Sequence, residues 1–399
     1  MTWTYHESMP IKPTKILVAM SGGVDSSVAA AMLVEQGHDV VGCFMRLGTP
    51  GEDLEADRSD AGEQLRIAHR GCCSIGDAAD ARRVAAHLGI PFYVCNFKRE
   101  FGRIIDYFVG DYNDGRTPNP CIRCNDWLKF GRLHEYARQI DASHLASGHY
   151  ARVDHSASGS RLLRGIDHDK DQSYVLFGAP ADRISQMLLP IGGLTKAEVR
   201  EKARQFGLMT AEKPESQEIC FVPDDDYAGL IERRSPGSIV QGEILDEQGN
   251  VIGEHPGHQH FTVGQRRGIG IASGIPLYVL SKDPTANSIT IGKSDRLDVA
   301  SCTCGEINWL ASEPCREEPL ECEVQFRAHA TPVRARVHLE GRRLHVVFLE
   351  PQKAVAPGQA LVCYEGEAVL GGGWIESVSV DEPPCDEKTP DAIINNDAM

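Results

Sequence analysis

The chain has 399 residues, enough for two or three domains at roughly 150 residues each. Apolar residues make up 41% and charged residues 25%, close to the globular average, which excludes disordered, collagen-like and fibrous classes. Lys and Arg number 41 against 57 Asp and Glu, a net charge of -16, so a broadly basic surface that coats nucleic acid is excluded and only a local basic groove remains.

The first apolar run, residues 15–20, is broken by Ser21-Gly22-Gly23, and helical spacing follows through residues 25–36, giving strand, loop, helix. Residues 40–45 read as a second strand, 80–88 as a helix stopped by Gly89, and 91–97 as a third strand. A helix over 127–139, a strand over 144–147 and a helix over 195–206, ended by Gly207, continue the alternation. Alternation of this kind predicts an α/β domain with a doubly wound parallel sheet over residues 1–215. Residues 48–70 are polar and acidic and interrupt the pattern as an insertion. Beyond Phe221 closely spaced glycines punctuate short β-branched segments with no long helical period. Two smaller β-rich domains are therefore expected, over 216–297 and 298–380, the second a small barrel or sandwich. Residues 381–399 carry six acidic residues against Lys388, with prolines at 383, 384 and 390, and read as a disordered acidic tail.

No apolar run approaches the roughly 18 residues that span a bilayer, and residues 1–15 do not resemble a signal peptide. A cytoplasmic protein without membrane contact is expected. Thirteen cysteines are then a matter for chemistry or metal rather than a disulfide scaffold. Four groups stand out by spacing: Cys72-Cys73, Cys121-x-x-Cys124, Cys220 and Cys302-x-Cys304. The others, Cys43 and Cys95 among them, read as packing or tail residues.

At the exit of the first strand stands Ala19-Met20-Ser21-Gly22-Gly23-Val24-Asp25-Ser26. Glycines there allow backbone angles that aim amide N–H groups at an anion, a phosphate cradle at a helix start. It lacks the Gly-Lys-Ser/Thr ending of the common triphosphate loop, so γ-phosphoryl transfer is not the expected reaction.

Ser-Gly-Gly-Val-Asp-Ser after a first strand resembles the loop of the ATP pyrophosphatases, which transfer AMP and release pyrophosphate. Further segments narrow the resemblance: Thr117-Pro118-Asn119-Pro120-Cys121-Ile122-Arg123-Cys124-Asn125, Ala146-Ser147-Gly148-His149-Tyr150, Lys170-Asp171-Gln172-Ser173-Tyr174 and Ser216-Gln217-Glu218-Ile219-Cys220-Phe221. Together, over residues 15–375, they resemble the tRNA-specific 2-thiouridylases. The resemblance implies an adenine-nucleotide-hydrolase-like first domain and 2-thiolation of the wobble uridine, U34, of tRNA. ATP, with Mg2+, adenylates O2, and a cysteine persulfide supplies sulfur, since a persulfide is more ionised at neutral pH than a thiol.

Carried over by position, Cys220 bears the persulfide and Cys124 is the nucleophile that frees its terminal sulfur, leaving a transient Cys124–Cys220 disulfide that a reductant must reset. Whether free sulfide or the bound persulfide attacks the base stays open. Residues 19–26, the Met45 backbone and Gly148 are the implied ATP contacts, although by themselves Met45 reads as core and Gly148 as a turn. His149 reads as a phosphate ligand or a satisfied core histidine. Asn119, Pro120, Cys121, Lys170, Asp171, Gln172, Arg327 and Ala328 are the implied tRNA contacts, with the anticodon arm as partner and the target base flipped from its stack. At 327–329 one family segment reads Arg-Tyr-Arg, so Ala328 and His329 weaken that contact.

Where one version of the family pattern has Asn-Pro-Asp, this chain has Cys121. Cys121, Cys124 and Cys220 could then hold an iron–sulfur cluster with one open iron. A persulfide donor such as a cysteine desulfurase or a sulfur-relay protein is the implied second partner. Two rivals stay open: an ATP pyrophosphatase acting on a small molecule, which would not need both cysteines, and a noncatalytic RNA-binding or sulfur-carrier protein.

Overall fold

A computed structural model describes residues 13–48, 75–156, 159–214, 219–222, 226–328 and 330–380. Cys72-Cys73, nearly all of the 48–70 insertion, residues 216–218, His329 and the 381–399 tail lie outside the described residues.

Strands β1 (Lys15–Ala19), β2 (Asp39–Arg46), β3 (Phe92–Asn96) and β4 (His144–Ser147) are followed by a hairpin, β5 (Ala151–Ser156) and β6 (Gly159–Arg164), and by the short β7 (Met187–Leu188). Five of these form an all-parallel sheet in the order β3-β2-β1-β4-β7. Both faces are covered. Ile16 and Val18 pack with helices α1 (Val24–Glu35) and α2 (Ile75–Leu88), while Leu17 and Ala19 pack on the opposite side with α3 (Lys98–Asn113). That is why β1 reads as a continuous apolar run and not as an alternation. Helix α1 has buried residues all round, Val28 to Ala31 among them, as a helix wedged between a sheet and other helices must. The doubly wound sheet is as the sequence implies.

Chain order reverses between β1 and β4: β2 and β3 lie to one side of β1, and β4 to the other. In open α/β sheets such a switch point opens a crevice at the carboxyl ends of the strands, where ligands bind. Ser21 follows β1 there and Gly148 follows β4.

Residues 120–139, expected as one helix from Trp127, begin earlier and are irregular. Helix α4 (Pro120–Arg123) runs into a π-helical stretch (Cys124–Leu133) and then α5 (His134–Gln139). Pro120 at the first helical position and the Asn119 side chain accepting from the Ile122 N–H explain the start. Two single turns, α6 (Ser173–Leu176) and α7 (Ala181–Ile184), precede α8 (Lys196–Gln205). At the start of α8 the Thr195 and Glu198 side chains cap each other's backbone N–H.

The rest is β-rich, with one exception. Residues 227–234 form helix α9 (Tyr227–Arg234), capped by Asp226, where no helix was expected. Leu230 and Ile231 supply its buried face, and a single apolar pair is too short a signal for periodicity to register. Strands β8 (Gly242–Leu245), β9 (Val251–His255), β10 (Tyr278–Asp283) and β11 (Ser288–Gly292) make a four-stranded sheet ordered β10-β11-β8-β9. Strands β12 (Asp298–Trp309), β13 (Leu320–Gln325), β14 (Val333–Glu340), β15 (Arg343–Lys353), β16 (Ala360–Glu365) and β17 (Ala368–Ser379) close into a six-stranded barrel through the β12–β17 pair. The β5–β6 hairpin joins this barrel sheet through Leu163 opposite Ala368. The N-terminal domain thus lends two strands to the C-terminal one.

Candidate active site

The loop after β1 enters α1 at Gly23, so the N–H groups of the first turn have no intrahelical partner and face the crevice, with Asp25 in the first turn. Ser26 is buried, and its Oγ accepts from the Ser21 N–H at 3.1 Å and lies 3.2 Å from Ser21 Oγ. The loop is tied in a ring. Gly22 has φ +78°, and a Cβ there would stand 2.2 Å from the Asp77 carbonyl oxygen. Only glycine satisfies both conditions.

Two lysines far away in sequence brace this loop. Lys196, at the start of α8, donates to both Asp25 oxygens at 2.8 and 2.9 Å, and the Tyr150 hydroxyl donates to Asp25 Oδ1 at 2.7 Å. Lys213 Nζ donates to the Gly22 carbonyl at 3.0 Å and to Asp77 and Asp80 at 2.7 and 2.6 Å. Burial opposes the Lys213 charge, but its bonds to the two aspartates outweigh that and raise its pKa. Two lysines, paired with three aspartates, therefore brace a loop whose amides favour an anion. Nothing local in the sequence marks Lys196 or Lys213. A capping box starts α8, but what its lysine touches is a tertiary matter.

Gly148 lies against the same loop. A Cβ there would stand 2.5 Å from the Ser26 nitrogen and 2.6 Å from the Asp25 carbonyl carbon. Glycine at 148 is thus required by the packing of β4 on α1. Met45, at the end of β2, is half-buried against the core. His149 is buried: burial first, and Lys129 second, hold its pKa well below the usual value. Lys129 can only donate to Nε2, at 3.3 Å, so Nδ1 carries the proton toward Ser147 Oγ at 2.7 Å. A neutral imidazole so placed positions Lys129 and offers phosphate no charge of its own.

Cys124 and Cys220 are both half-buried and pack against the same hydrophobic cluster, with Trp127, Tyr107 and Ile219. Cys121 is exposed on α4. Among the described residues the one set of three His, Cys, Asp or Glu ligand atoms within 4.8 Å of one another is His338, Glu340 and His345 on the barrel. Cys121, Cys124 and Cys220 are not among the sets compact enough for a single metal ion, and no step below passes through a cluster.

Arg123, directly before Cys124, is only 6% exposed. Its guanidinium lies 4.0 Å from the Trp374 ring centre and 5.0 Å from those of Tyr107 and Trp127, and pairs with Glu306 at 2.8 Å. Trp374 and Glu306 belong to β17 and β12, so the barrel grips the cysteine-bearing helix through one side chain. The Thr117 N–H also donates to the Pro357 carbonyl at 2.9 Å.

Asp126, two residues beyond Cys124, is half-buried; burial raises its pKa to about 6, with Arg123 opposing and Glu306 reinforcing. In the unfolded chain it titrates near 3.8. The folded state therefore binds its proton more tightly, and that contribution to stability is lost as pH rises from about 4 through about 6. Asp126→Asn is expected to flatten this slope and to stabilise the fold above pH 7 by about 1–2 kcal/mol, after discounting for solvent screening. Urea unfolding at pH 4.5 and 7.5 checks it, and equal stability differences at both pH values would refute it.

The implied tRNA-binding residues scatter into different settings. Asp171 is an anchor: its carboxylate accepts from the Gly165 and Ser173 N–H groups at 2.9 and 3.0 Å, from the Ser173 hydroxyl at 2.9 Å, and from Arg164 at 3.0 Å. The Gln172 Oε1 accepts from the Tyr150 N–H at 3.0 Å. These two fix the loop on which Lys170, half-buried, stands. The Arg327 guanidinium donates to the Ala354 carbonyl and lies over the Phe326 ring, and the Ala328 carbonyl accepts from Gln325 Nε2 at 2.9 Å. Asn119 and Pro120 start α4, as described above, beside Cys121.

Three family models match in series: a tRNA methyl transferase HUP domain over residues 14–224, a tRNA methyl transferase PRC-barrel domain over 230–293 and an aminomethyltransferase beta-barrel domain over 299–375. Over 367 residues the chain is 47% identical to a tRNA-specific 2-thiouridylase MnmA of Geotalea uraniireducens, covering 92% of this chain and 96% of that protein. The chain belongs to the tRNA-specific 2-thiouridylase family. Similar relatives of the same name occur in Rhodopirellula baltica, at 44% over 91% of this chain and 96% of that one, and in Geobacter metallireducens, at 46% over 92% and 98%. Within the described residues of this 2-thiouridylase family member, no helix is long and apolar enough to cross a membrane.

Proposed function

We propose that the chain uses ATP to replace O2 of the wobble uridine of tRNA by sulfur. Besides family membership, the observation that carries this reading is the loop at the switch point, cradled by Lys196 and Lys213 and free of a γ-phosphate lysine of the common type, with two half-buried cysteines on the adjoining core. ATP enters as its magnesium complex. Both Asp25 oxygens are held by Lys196, so the carboxylate orients the lysine and the loop.

The uridine O2 attacks the α-phosphorus, pyrophosphate leaves into the amide cradle of residues 21–26, and the base carries AMP as leaving group. Developing charge on the departing pyrophosphate is met by the first-turn amides, while Lys196 and Lys213 hold the loop that presents them. The Cys124 thiolate attacks Cys220 Sγ in its persulfide, forming the Cys124–Cys220 disulfide and releasing hydrosulfide. Hydrosulfide adds at C2, AMP departs, and a dithiol reductant restores both thiols. The anticodon arm contacts the surface around Asn119, Cys121 and Lys170, with Arg327 and Ala328 at the barrel. A cytoplasmic setting, with a persulfide donor as second partner, fits this chemistry.

The test is nucleoside mass spectrometry of tRNA incubated with anaerobically purified protein, ATP and a persulfide donor. Cys220→Ser and Cys124→Ser are expected to lose 2-thiouridine by more than about 1,000-fold, since covalent-step nucleophiles carry effects of that size. Both should keep tRNA-dependent pyrophosphate release, and Cys121→Ser should remain active. An equally dead Cys121→Ser with stoichiometric iron in the active protein would replace the two-cysteine route. Absence of thiolated base throughout would overturn the function.

A further inference from the structure

Cys43 and Cys95 take no part in the chemistry above, yet their sulfurs lie 3.1 Å apart, with the Cys43 S–H donating to Cys95. They stand on neighbouring parallel strands: Cys43 is opposite Tyr93, and Cys95 opposite Met45. Their environments differ. Cys43 is fully buried, whereas Cys95 is half-buried on the sheet's edge strand, and its neighbours Tyr93 and Val94 are exposed.

We propose that Cys43 and Cys95 form a peroxide-sensitive dithiol, in which Cys95 is the sulfur oxidised and Cys43 the thiol that resolves it. Polarity supports the assignment. The hydrogen bond from Cys43 lowers the Cys95 pKa, with burial opposing and Tyr136 assisting, while the same bond and burial push the Cys43 thiol far up. A thiol of lowered pKa at an accessible edge beside a second thiol is the arrangement that oxidants select. The barrel cysteines make the contrast. Cys302 neighbours Cys304, and Cys322 neighbours Cys363, but all four are buried in the barrel interior, and the neighbouring thiol first and burial second push the Cys304 and Cys363 thiols up. Burial of all four sulfurs sets them apart from Cys95, which stands at an edge.

The Cys95 thiolate attacks one oxygen of hydrogen peroxide, forming an S–O bond and breaking O–O. Hydroxide leaves and takes a proton to become water, and Cys95 is a sulfenic acid. Cys43 then attacks the Cys95 sulfur as its own proton passes to the departing hydroxyl, which leaves as a second water. Two thiols and one peroxide give one disulfide and two waters, and a dithiol reductant reverses the change.

The test uses the full chain, reduced and then exposed to one to ten equivalents of hydrogen peroxide under native conditions, alkylated in denaturant and mapped by peptide mass spectrometry. A reducible cross-link joining the Cys43 and Cys95 peptides is expected as the first or second disulfide to appear. In Cys43→Ala, Cys95 should instead be trapped by dimedone as sulfenic acid, and in Cys95→Ala, Cys43 should remain fully alkylated. Alkylation of both cysteines in the wild-type chain after other thiols have oxidised would overturn the proposal. So would a cross-link of Cys95 to Cys124 or Cys220 in place of Cys43. Because the wild-type map needs no substitution, misfolding of a variant cannot decide the outcome.

Discussion

Replacing Gly148 by alanine is expected to lower tRNA-dependent pyrophosphate release by about 100-fold or more and to weaken ATP binding, while circular dichroism stays unchanged. A Cβ at 148 would meet the Ser26 nitrogen, the Asp25 carbonyl carbon and the Ser26 Cα at 2.5, 2.6 and 2.8 Å. All three are backbone atoms, so no rotamer change relieves them. The first turn of α1 must move by some tenths of an ångström to an ångström, and a misplacement of that size in a positioning element costs about 10²-fold. Overpacking should also remove about 1–3 kcal/mol of stability. Gly193→Ala is the control: Gly193 is exposed, and an added Cβ meets nothing within 4 Å, so both activity and stability should stay within error. Isothermal titration with a nonhydrolysable ATP analogue decides the matter, and an unchanged affinity in Gly148→Ala would refute the loop-displacement account.

The second large effect belongs to Lys196. Lys196→Met keeps most of the side-chain length but removes the ammonium that bridges both Asp25 oxygens. Asp25 then keeps the Tyr150 hydroxyl but has lost its countercharge, 31% exposed at the lip of an anion site. A carboxylate without its partner repels the phosphates that the proposed function brings to this loop. Pyrophosphate release is expected to fall by about 100-fold, with KM for ATP rising and tRNA affinity unchanged. Lys196→Arg should recover only part of this, because its planar fork can bond both Asp25 oxygens but is longer than the ammonium and displaces the carboxylate from its place in the loop. If Lys196→Met left ATP kinetics intact while lowering only thermal stability, the pair would be a structural staple and nothing more.

These two residues also show where the sequence is informative. The strand–loop–helix turn at residues 19–26 was legible because its demands are local: a strand end, two glycines and a helix start within a few positions. The doubly wound sheet was legible because a strand covered on both faces has a distinctive apolar run. Lys196 and Lys213 were not legible, since they act on Asp25 and Gly22 across more than 170 residues of chain. Helix α9 escaped because an eight-residue helix with two buried apolar side chains has no measurable period. The β5–β6 hairpin escaped because pairing with a strand some 200 residues later leaves no mark on either segment. The Cys43–Cys95 contact was hidden for the same reason: two cysteines read separately are packing residues, and only the register of β2 on β3 makes them a pair.

Arg123 carries a consequence in time as well as in space. Its guanidinium is enclosed partly by Trp374 and Glu306, which leave the ribosome long after it does. Trp374 follows Cys124 by about 250 residues, and at translation rates of roughly 5–20 residues per second the cysteine helix waits about 12–50 s for its last wall. Through that interval the N-terminal sheet can be folded and yet hold Cys124 beside an unroofed arginine. The newborn chain acquires the loop at its switch point early and its sheltered cysteine helix almost last.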